Sequence, residues 1–205
     1  MLSLSIQAAP RPQAHLARPS PALRLRVHGP ASPGREPVER FVAAVYQRRF
    51  GAEVRQFAPV LVSLHDEQGE RVAAAGYRAA RLGPLFLERY LSAPVQTLLW
   101  PAAREGIVEV GHLAAVRAGE GRRLIRLLGL HLADQGFEWV VSTLTQELRN
   151  LFLRMGMAPR PLGVADPALL GEQAAQWGSY YDHKPLVLAG RLDAATQLLS
   201  RRISA

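Results

Sequence analysis

Residues 107–132 read IVEVGHLAAVRAGEGRRLIRLLGLHL, and this stretch combines three local patterns that together indicate the fold. Its first nine residues alternate around Glu109 and His112 and end in small side chains, which predicts a strand with two polar residues in a buried element. Residues 117–123 form a glycine-rich turn with three arginines, and from Leu124 onward leucines recur with helical spacing. The predicted order is strand, basic glycine turn and helix.

The glycine turn has the composition of an anion-binding site. Backbone N–H groups and the dipole at a helix N-terminus favour an anion, and glycine lets a phosphate approach the main chain. Arg122 and Arg123 fall in the first helical turn, where positive charge is unfavourable unless something compensates for it. A bound pyrophosphate would compensate. A surface turn with solvated arginines is the alternative, and the turn alone does not distinguish the two.

The segments on either side of this stretch predict a sheet with helices. Alternating or β-branched runs indicate strands, and helical periodicity bounded by glycine or proline indicates helices. Strands are predicted at residues 23–28, 57–65, 71–80, 107–115, 137–145 and 185–192, and helices at 37–50, 85–91, 124–135, 146–155 and 169–176. Residues 95–106 are left unassigned, 159–167 are predicted to be irregular and 177–184 a loop. This order predicts an α/β (α+β) fold with a mixed sheet.

Composition limits the domain organisation and the chemistry. At 205 residues with 48% hydrophobic side chains, the chain can bury one core. Prolines and arginines in residues 1–21 predict a disordered tail, residues 22–192 a single domain, and residues 193–205 a tail or short helix. The absence of cysteine excludes disulfides, thiolate metal sites and thiol nucleophiles.

The net charge, the missing motifs and the N-terminal sequence limit the partners and the location that are expected. A net charge of +8 suits nucleic acid, an acidic protein or a phosphate-bearing cofactor. Zinc-finger spacing, an aromatic RNA-binding strand and a basic helix face are all missing, so no nucleic acid is expected. The six histidines show no HxH or HExxH spacing, so no metal is expected. No apolar run of transmembrane length occurs and the N-terminus is a poor signal peptide, which predicts a cytoplasmic protein.

Two motifs resemble the GNAT acyltransferases. Residues 117–121 (RAGEG) resemble the pyrophosphate signature Gln/Arg-x-x-Gly-x-Gly/Ala of that family, with one residue fewer before the first glycine. Residues 152–157 (FLRMGM) resemble the Tyr-x-x-x-Gly-Phe end of its C-terminal motif, with Phe152 where GNAT enzymes often keep a tyrosine as general acid.

A more specific resemblance covers residues 41–192. The blocks FAPVLVSL, GYRAA, LFLERYL, IVEVGHLAA, LTQELRNLFLRMG, ADP and WGSYYDHKP, taken in order, resemble the thermostable hemolysin family. That family is GNAT-like and distantly similar to the acyl-homoserine-lactone synthases. The resemblance implies a twisted mixed sheet of about six to seven strands with helices on both faces.

The same resemblance implies a function. The chain would transfer an acyl group from an acyl thioester, either acyl-CoA or the phosphopantetheine of an acyl-carrier protein, to a small amine or amino-acid-like acceptor. An acidic carrier would suit the net charge of +8. Transfer would be direct, because no cysteine can carry the acyl group. A homodimer is one assembly compatible with this function, and the sequence does not determine the oligomeric state.

The resemblance also implies roles for residues. Acyl transfer to an amine needs a base, donors for the oxyanion and an acid for the thiolate. Glu109 would be the base. His112 would join it only if the strand bulges at Gly111, because residues three apart on a regular strand face opposite ways. Tyr180 or Tyr181 would be the acid. The donor would contact Val110, Leu113, Arg117, Gly119, Gly121, Arg122, Arg123 and Asn150, and the acceptor would contact Glu88, Thr143 and Thr145.

Structural roles are the alternatives for these residues. Glu109 would form a buried salt bridge, His112 would be a core histidine, Glu88 an exposed helix acid, and the tyrosines a loop-anchoring cluster. For the whole chain, two other functions stay open. One is a secreted or membrane-lytic hemolysin, as the family name states, and the other is a GNAT-like binding module without catalysis.

Overall fold

The computed structural model describes residues 24–193. The strands are β1 (Arg24–His28), β2 (Val60–His65), β3 (Arg71–Ala79), β4 (Ile107–Ala115), β5 (Trp139–Leu144), β6 (Arg160–Val164) and β7 (Leu186–Arg191). The helices are α1 (Arg35–Phe50), α2 (Val95–Leu98), α3 (Glu120–Asp134) and α4 (Gln146–Arg154). Short 3₁₀ helices cover Ala80–Leu82, Phe86–Tyr90 and Arg104–Gly106, and a longer 3₁₀ segment, here called the strap, covers Pro167–His183.

All seven strands form one mixed sheet in the order β1-β2-β3-β4-β5-β7-β6. Neighbouring strands are antiparallel except β4 and β5, which are parallel. The mixed sheet predicted from the sequence is confirmed, and the fold is GNAT-like. The tail predicted at residues 1–21 and the C-terminal tail from residue 194 onward lie outside the described residues.

The helices cover both faces of the sheet, so the central strands β2 and β3 are buried along almost their whole length. Leu124, Leu128 and Leu132 of α3 pack on one face, against a group that includes Val62 and Val108. The opposite face packs against α1, whose Val38, Val42, Val45, Tyr46 and Phe50 are buried. In the residues described, no helix is long and apolar enough to cross a membrane.

Three local predictions were wrong. Residues 160–164, predicted to be irregular, form strand β6. Its residues are mostly exposed at the edge of the sheet, where Pro161 is tolerated because an edge strand need not use every N–H group. The predicted helix 169–176 and loop 177–184 are instead parts of the strap, a run of 3₁₀ turns that is interrupted by the non-helical backbone of Gly171 and Gly178. Helix α3 begins at Glu120 rather than at Leu124, whereas Arg122 and Arg123 lie in its first turn, as the sequence indicated.

Candidate active site

A gap between β4 and β5 organises the candidate site. The parallel pairing runs from Ile107↔Trp139 to Glu109↔Val141 and ends there. Beyond it, the edge of β4 has no neighbouring strand, so its backbone polar groups face the gap. Pairing with β3 also becomes irregular, because Gly76 pairs with Gly111 while Ala74 pairs with Ala114.

This irregularity is a β-bulge centred on His112, which has a φ of 53°. The extra residue rotates the strand, so Glu109 and His112 line the same cavity although they are three positions apart. On a strand without a bulge the two side chains would face opposite ways, and the structure contains the expected bulge one residue after Gly111.

The cavity on the α1 side of the gap, here called the front cavity, has a volume of about 370 Å³. Its wall combines a group of aromatic residues with charged and polar side chains. The aromatic residues are Tyr46, Phe57, Phe86, Tyr90, Trp177, Tyr180 and Tyr181, and the main polar ones are Glu53, Arg55, Gln56, Arg78, Glu109, His112, Thr143, Gln173 and Gln176. Such a cavity suits a small molecule with an apolar part and a few polar groups.

Glu109 is anchored at the wall of the front cavity by the main chain. Its two carboxylate oxygens accept hydrogen bonds from the backbone N–H groups of Phe86 and Leu87, each at 2.9 Å. Burial raises the pKa of Glu109, although these two bonds and the nearby Arg78 oppose the rise. No buried salt bridge holds it among the described residues, unlike the structural alternative. A carboxylate with a raised pKa in a cavity is a candidate general base.

His112 is held between two neighbours. Its Nε2 donates to the carbonyl oxygen of Gln56 at 3.1 Å, and its Nδ1 lies over Gly76, where an added Cβ would come within 3.1 Å of that atom. Nδ1 is buried and has no hydrogen-bond partner within residues 24–193. Burial lowers the pKa of His112 to about 4, so the imidazole is neutral at pH 7. These contacts give His112 a role in joining the bulge to the segment around Gln56.

The two predicted tyrosines both line the front cavity, but their hydroxyls differ. Tyr180 is buried and donates to the carbonyl oxygen of Thr143 at 3.1 Å, and burial raises its pKa well above the ordinary value. The Tyr181 hydroxyl lies 2.6 Å from that of Tyr90. Burial raises the pKa of Tyr90 and of Tyr181, and either hydroxyl can donate to the other. The Tyr180 proton is bonded to a main-chain oxygen, whereas the Tyr181 hydroxyl shares its hydrogen bond with another tyrosine.

A second cavity, here called the rear cavity, lies on the α3 side of the gap and has a volume of about 160 Å³. Its wall is almost entirely apolar, from α3, β5, β7 and the end of α4, and it includes Phe152. Val110 and Leu113 line both cavities, so the two spaces meet at the gap. At Gly129 of α3, an added Cβ would meet no atom within 4 Å.

The predicted anion turn lies outside both cavities. Gly119 precedes α3 with a φ of 89°, and no side chain caps the helix. Arg117 pairs with Asp66 at 3.1 Å and Arg123 pairs with Glu120 at 3.3 Å. Arg122 is exposed, and Gly121, the second residue of the helix, lies beside Ala115. The Oε2 atom of Glu120, in the first turn of α3, is buried and has no hydrogen-bond partner among the described residues.

Three other predicted contacts lie elsewhere. Glu88 is not an exposed helix acid, because it binds Arg104 at 2.7 Å and the N–H groups of Leu85 and Val95. Burial opposes ionisation, but the bonds from Arg104 and the backbone lower the pKa of Glu88 to about 2. Thr145 accepts from the N–H of Leu148 and caps α4. Asn150 is exposed on α4 and lines neither cavity.

Sequence reasoning missed Arg78, Tyr90 and Trp177, which all line the front cavity. Arg78 is the cross-strand partner of Glu109, but only the register of β3 on β4 reveals this. Tyr90 lies in the block LFLERYL, and Trp177 lies in the block WGSYYDHKP, which is distant in sequence. Both residues contact Tyr181, and Tyr90 reaches it only because the strap packs against the rest of the fold. No group of three or more metal-binding side chains occurs within residues 24–193.

Comparison with solved structures gives the same fold. The AHL synthase LasI aligns with a TM-score of 0.58 at 12% identity, over 84% of this chain and 91% of LasI. FeeM, an N-acyl amino acid synthase from uncultured soil microbes, aligns with a TM-score of 0.56 at 12% identity, over 84% and 92%. BjaI, a CoA-dependent acyl-homoserine lactone synthase solved with SAM and isopentyl-CoA, aligns with a TM-score of 0.57 at 14% identity, over 89% and 90%.

Comparison by sequence shows the family. A search of curated proteins finds no match. The family described as thermostable hemolysin matches residues 28–196, which include strands β2 to β7 and the lining of both cavities. The chain therefore belongs to the thermostable hemolysin family.

Proposed function

We propose that this chain is an acyltransferase that moves an acyl group from a thioester to the amine of a small acceptor. The observation that carries the proposal is the position of Glu109, a partly buried, main-chain-anchored carboxylate in a cavity that adjoins a second, apolar cavity at a gap in the sheet. The similarity in fold to LasI, FeeM and BjaI supports it.

The gap suits the pantetheine arm of the donor. The edge of β4 beyond Glu109 has no strand beside it, so an extended amide chain can bind there as an added strand would. Val110 and Leu113 would contact this arm, and the acyl chain would occupy the rear cavity. The acceptor would then lie in the front cavity, where Glu109 faces it.

The reaction follows from this arrangement. Glu109 takes one proton from the acceptor ammonium, and the resulting amine attacks the thioester carbonyl carbon. The C–N bond forms, the C–S bond breaks, and the nitrogen gives up its second proton to the solvent. The leaving thiolate takes a proton from Tyr181 or from water. We assign this proton to Tyr181 rather than Tyr180, because the Tyr180 proton is bound to the Thr143 carbonyl oxygen. His112 would hold the bulge in place.

The donor, the assembly and the location belong to this proposal as well. Acyl-CoA and acyl-carrier protein both present the same pantetheine arm, and BjaI was solved with a CoA thioester. The exposed Arg122 would contact the phosphate of either donor. A homodimer is compatible with it, and a cytoplasmic location remains a prediction from the sequence.

The test is release of free thiol from acyl-pantetheine, acyl-CoA and acyl-carrier protein in the presence of amines. The chain has no cysteine, so every thiol detected by a thiol reagent comes from the donor. A donor at 100 times its dissociation constant should also stabilise the fold by about 2.7 kcal/mol, measurable as a rise in melting temperature. No thiol release from any donor, combined with leakage of liposomes, would instead favour the lytic activity in the family name.

We predict that Gly129→Leu shortens the acyl chain that is accepted. The added side chain enters the open space of the rear cavity, which holds only about 160 Å³. Because leucine favours a helix by up to about 1 kcal/mol over glycine, the fold should not weaken. Rates measured with acyl-pantetheines of increasing length should fall for the longer chains and persist for acetyl.

The matched control for this variant is Leu130→Phe, which enlarges an exposed residue on the same helix. Its chain-length profile should equal that of the wild type. If Gly129→Leu has that same profile, the acyl chain does not occupy the rear cavity.

A further inference from the structure

Two arginines line the front cavity, and their surroundings differ. Arg55 is paired with Glu53 at 2.8 Å. Arg78 has no ion pair among the described residues, and its one hydrogen bond runs from Nη1 to the carbonyl oxygen of Pro84 at 3.3 Å. The cavity wall therefore contains a guanidinium that forms no ion pair with any side chain of the described part.

Arg78 is placed beside the proposed base. It pairs with Glu109 across β3 and β4, so the two side chains share one face of the sheet. The carboxylate of Glu109 is held by the N–H groups of Phe86 and Leu87 and does not close onto the guanidinium. The cavity thus presents a fixed carboxylate and an uncommitted guanidinium side by side.

These two groups complement a zwitterion. The acceptor amine belongs at Glu109, and a guanidinium is the group best suited to bind a carboxylate, through two parallel N–H···O bonds. Aromatic side chains form much of the remaining wall, with Phe86 and Trp177 in ring contact at 5.7 Å. Resting on the proposed function, we infer that Arg78 binds the carboxylate of the acceptor, which is an α-amino acid with an aromatic or long apolar side chain.

The experiment compares three acceptors of one shape: phenylalanine, its amide, and phenethylamine. With the wild type, phenylalanine should have a KM roughly 10- to 150-fold below that of the other two, the range for hydrogen bonds to a charged group. Arg78→Gln should raise the KM for phenylalanine by the same factor and leave the other two unchanged. Arg78→Lys should recover part of the difference.

The control is Arg81→Gln, an exposed arginine that does not line the cavity, for which all three KM values should stay at wild-type levels. Equal KM values for the three acceptors with the wild type would overturn the role of Arg78 while leaving acyl transfer intact.

If no acceptor is acylated, the proposed function fails, and calorimetric binding still tests Arg78. Phenylalanine should then bind the wild type more tightly than phenethylamine, and Arg78→Gln should abolish that difference. Equal binding of both ligands would overturn the inference on its own.

Discussion

Replacing Glu109 with glutamine is expected to slow acyl transfer by roughly 10²- to 10⁴-fold, the usual contribution of a positioned general base. Glutamine keeps the shape of the side chain but cannot accept the proton that the amine must lose. Thiol release under saturating donor, measured with an amine acceptor, reports the loss directly.

The fold should tolerate Glu109→Gln. The amide group loses one of the two acceptors for the Phe86 and Leu87 N–H groups, which is unfavourable. The substitution also removes a negative charge whose burial is unfavourable, as the raised pKa of Glu109 indicates. The loss of the hydrogen bond destabilises the fold and the loss of the charge stabilises it, so the two effects oppose each other. The melting temperature should therefore change by only a few degrees, and the exposed Glu105→Gln serves as the control with full activity.

The pH dependence of the wild type gives a second measure of the same group. The base must be ionised, so kcat/KM falls as the pH is lowered through the pKa of Glu109. Because burial raises that pKa, the fall should occur at a higher pH than for an ordinary glutamate, whose pKa is about 4.3. Arg78→Gln removes a positive charge that lowers the pKa of Glu109, so kcat/KM of this variant should fall at a still higher pH. Unchanged activity of Glu109→Gln at all pH values would rule out Glu109 as the base.

The part of the fold that the sequence predicted well is the part whose pattern is local. β4 was predicted with its observed bounds, because alternation and helical spacing lie within one contiguous stretch. β6 was missed because an exposed edge strand with a proline shows no alternation. The strap was divided into a helix and a loop because Gly171 and Gly178 interrupt any periodicity.

The candidate site was only partly predictable, because its contacts join distant residues. Glu109 and His112 were selected as a pair, but their meeting depends on a bulge that only the register shows. Glu88 was taken for an acceptor contact, whereas its partner Arg104 lies in a segment without a clear pattern. Arg78 drew no attention because its position beside Glu109 depends on strand pairing.

Gly178→Ala is expected to detach the strap and to remove both stability and activity. Gly178 has a φ of 52° and a ψ of −129°, a conformation that is strained for any other residue. An added Cβ would come within 2.0 Å of the carbonyl oxygen of Phe50, a main-chain atom that no side-chain rotation can move away. The bond from Ser179 Oγ to the same oxygen, at 3.2 Å, would be lost with it.

The strained backbone and the overpacking each cost about 1–3 kcal/mol, so the melting temperature should fall by roughly 5–20 °C. Activity should also fall at temperatures at which the variant is still folded, because Trp177, Tyr180 and Tyr181 lie close to Gly178 and form a wall of the front cavity. Thiol release and phenylalanine binding, both measured well below the melting temperature of the variant, separate the two effects.

Gly171→Ala is the matched control, because it isolates the contact from the backbone conformation. Gly171 has nearly the same φ and ψ, 57° and −134°, but an added Cβ meets nothing within 4 Å. Gly171→Ala should therefore be destabilised only by the strained backbone conformation, and it should keep most of its activity. Equal losses in the two variants would mean that docking of the strap onto Phe50 contributes nothing, and that the wall of the front cavity is held by its aromatic contacts alone.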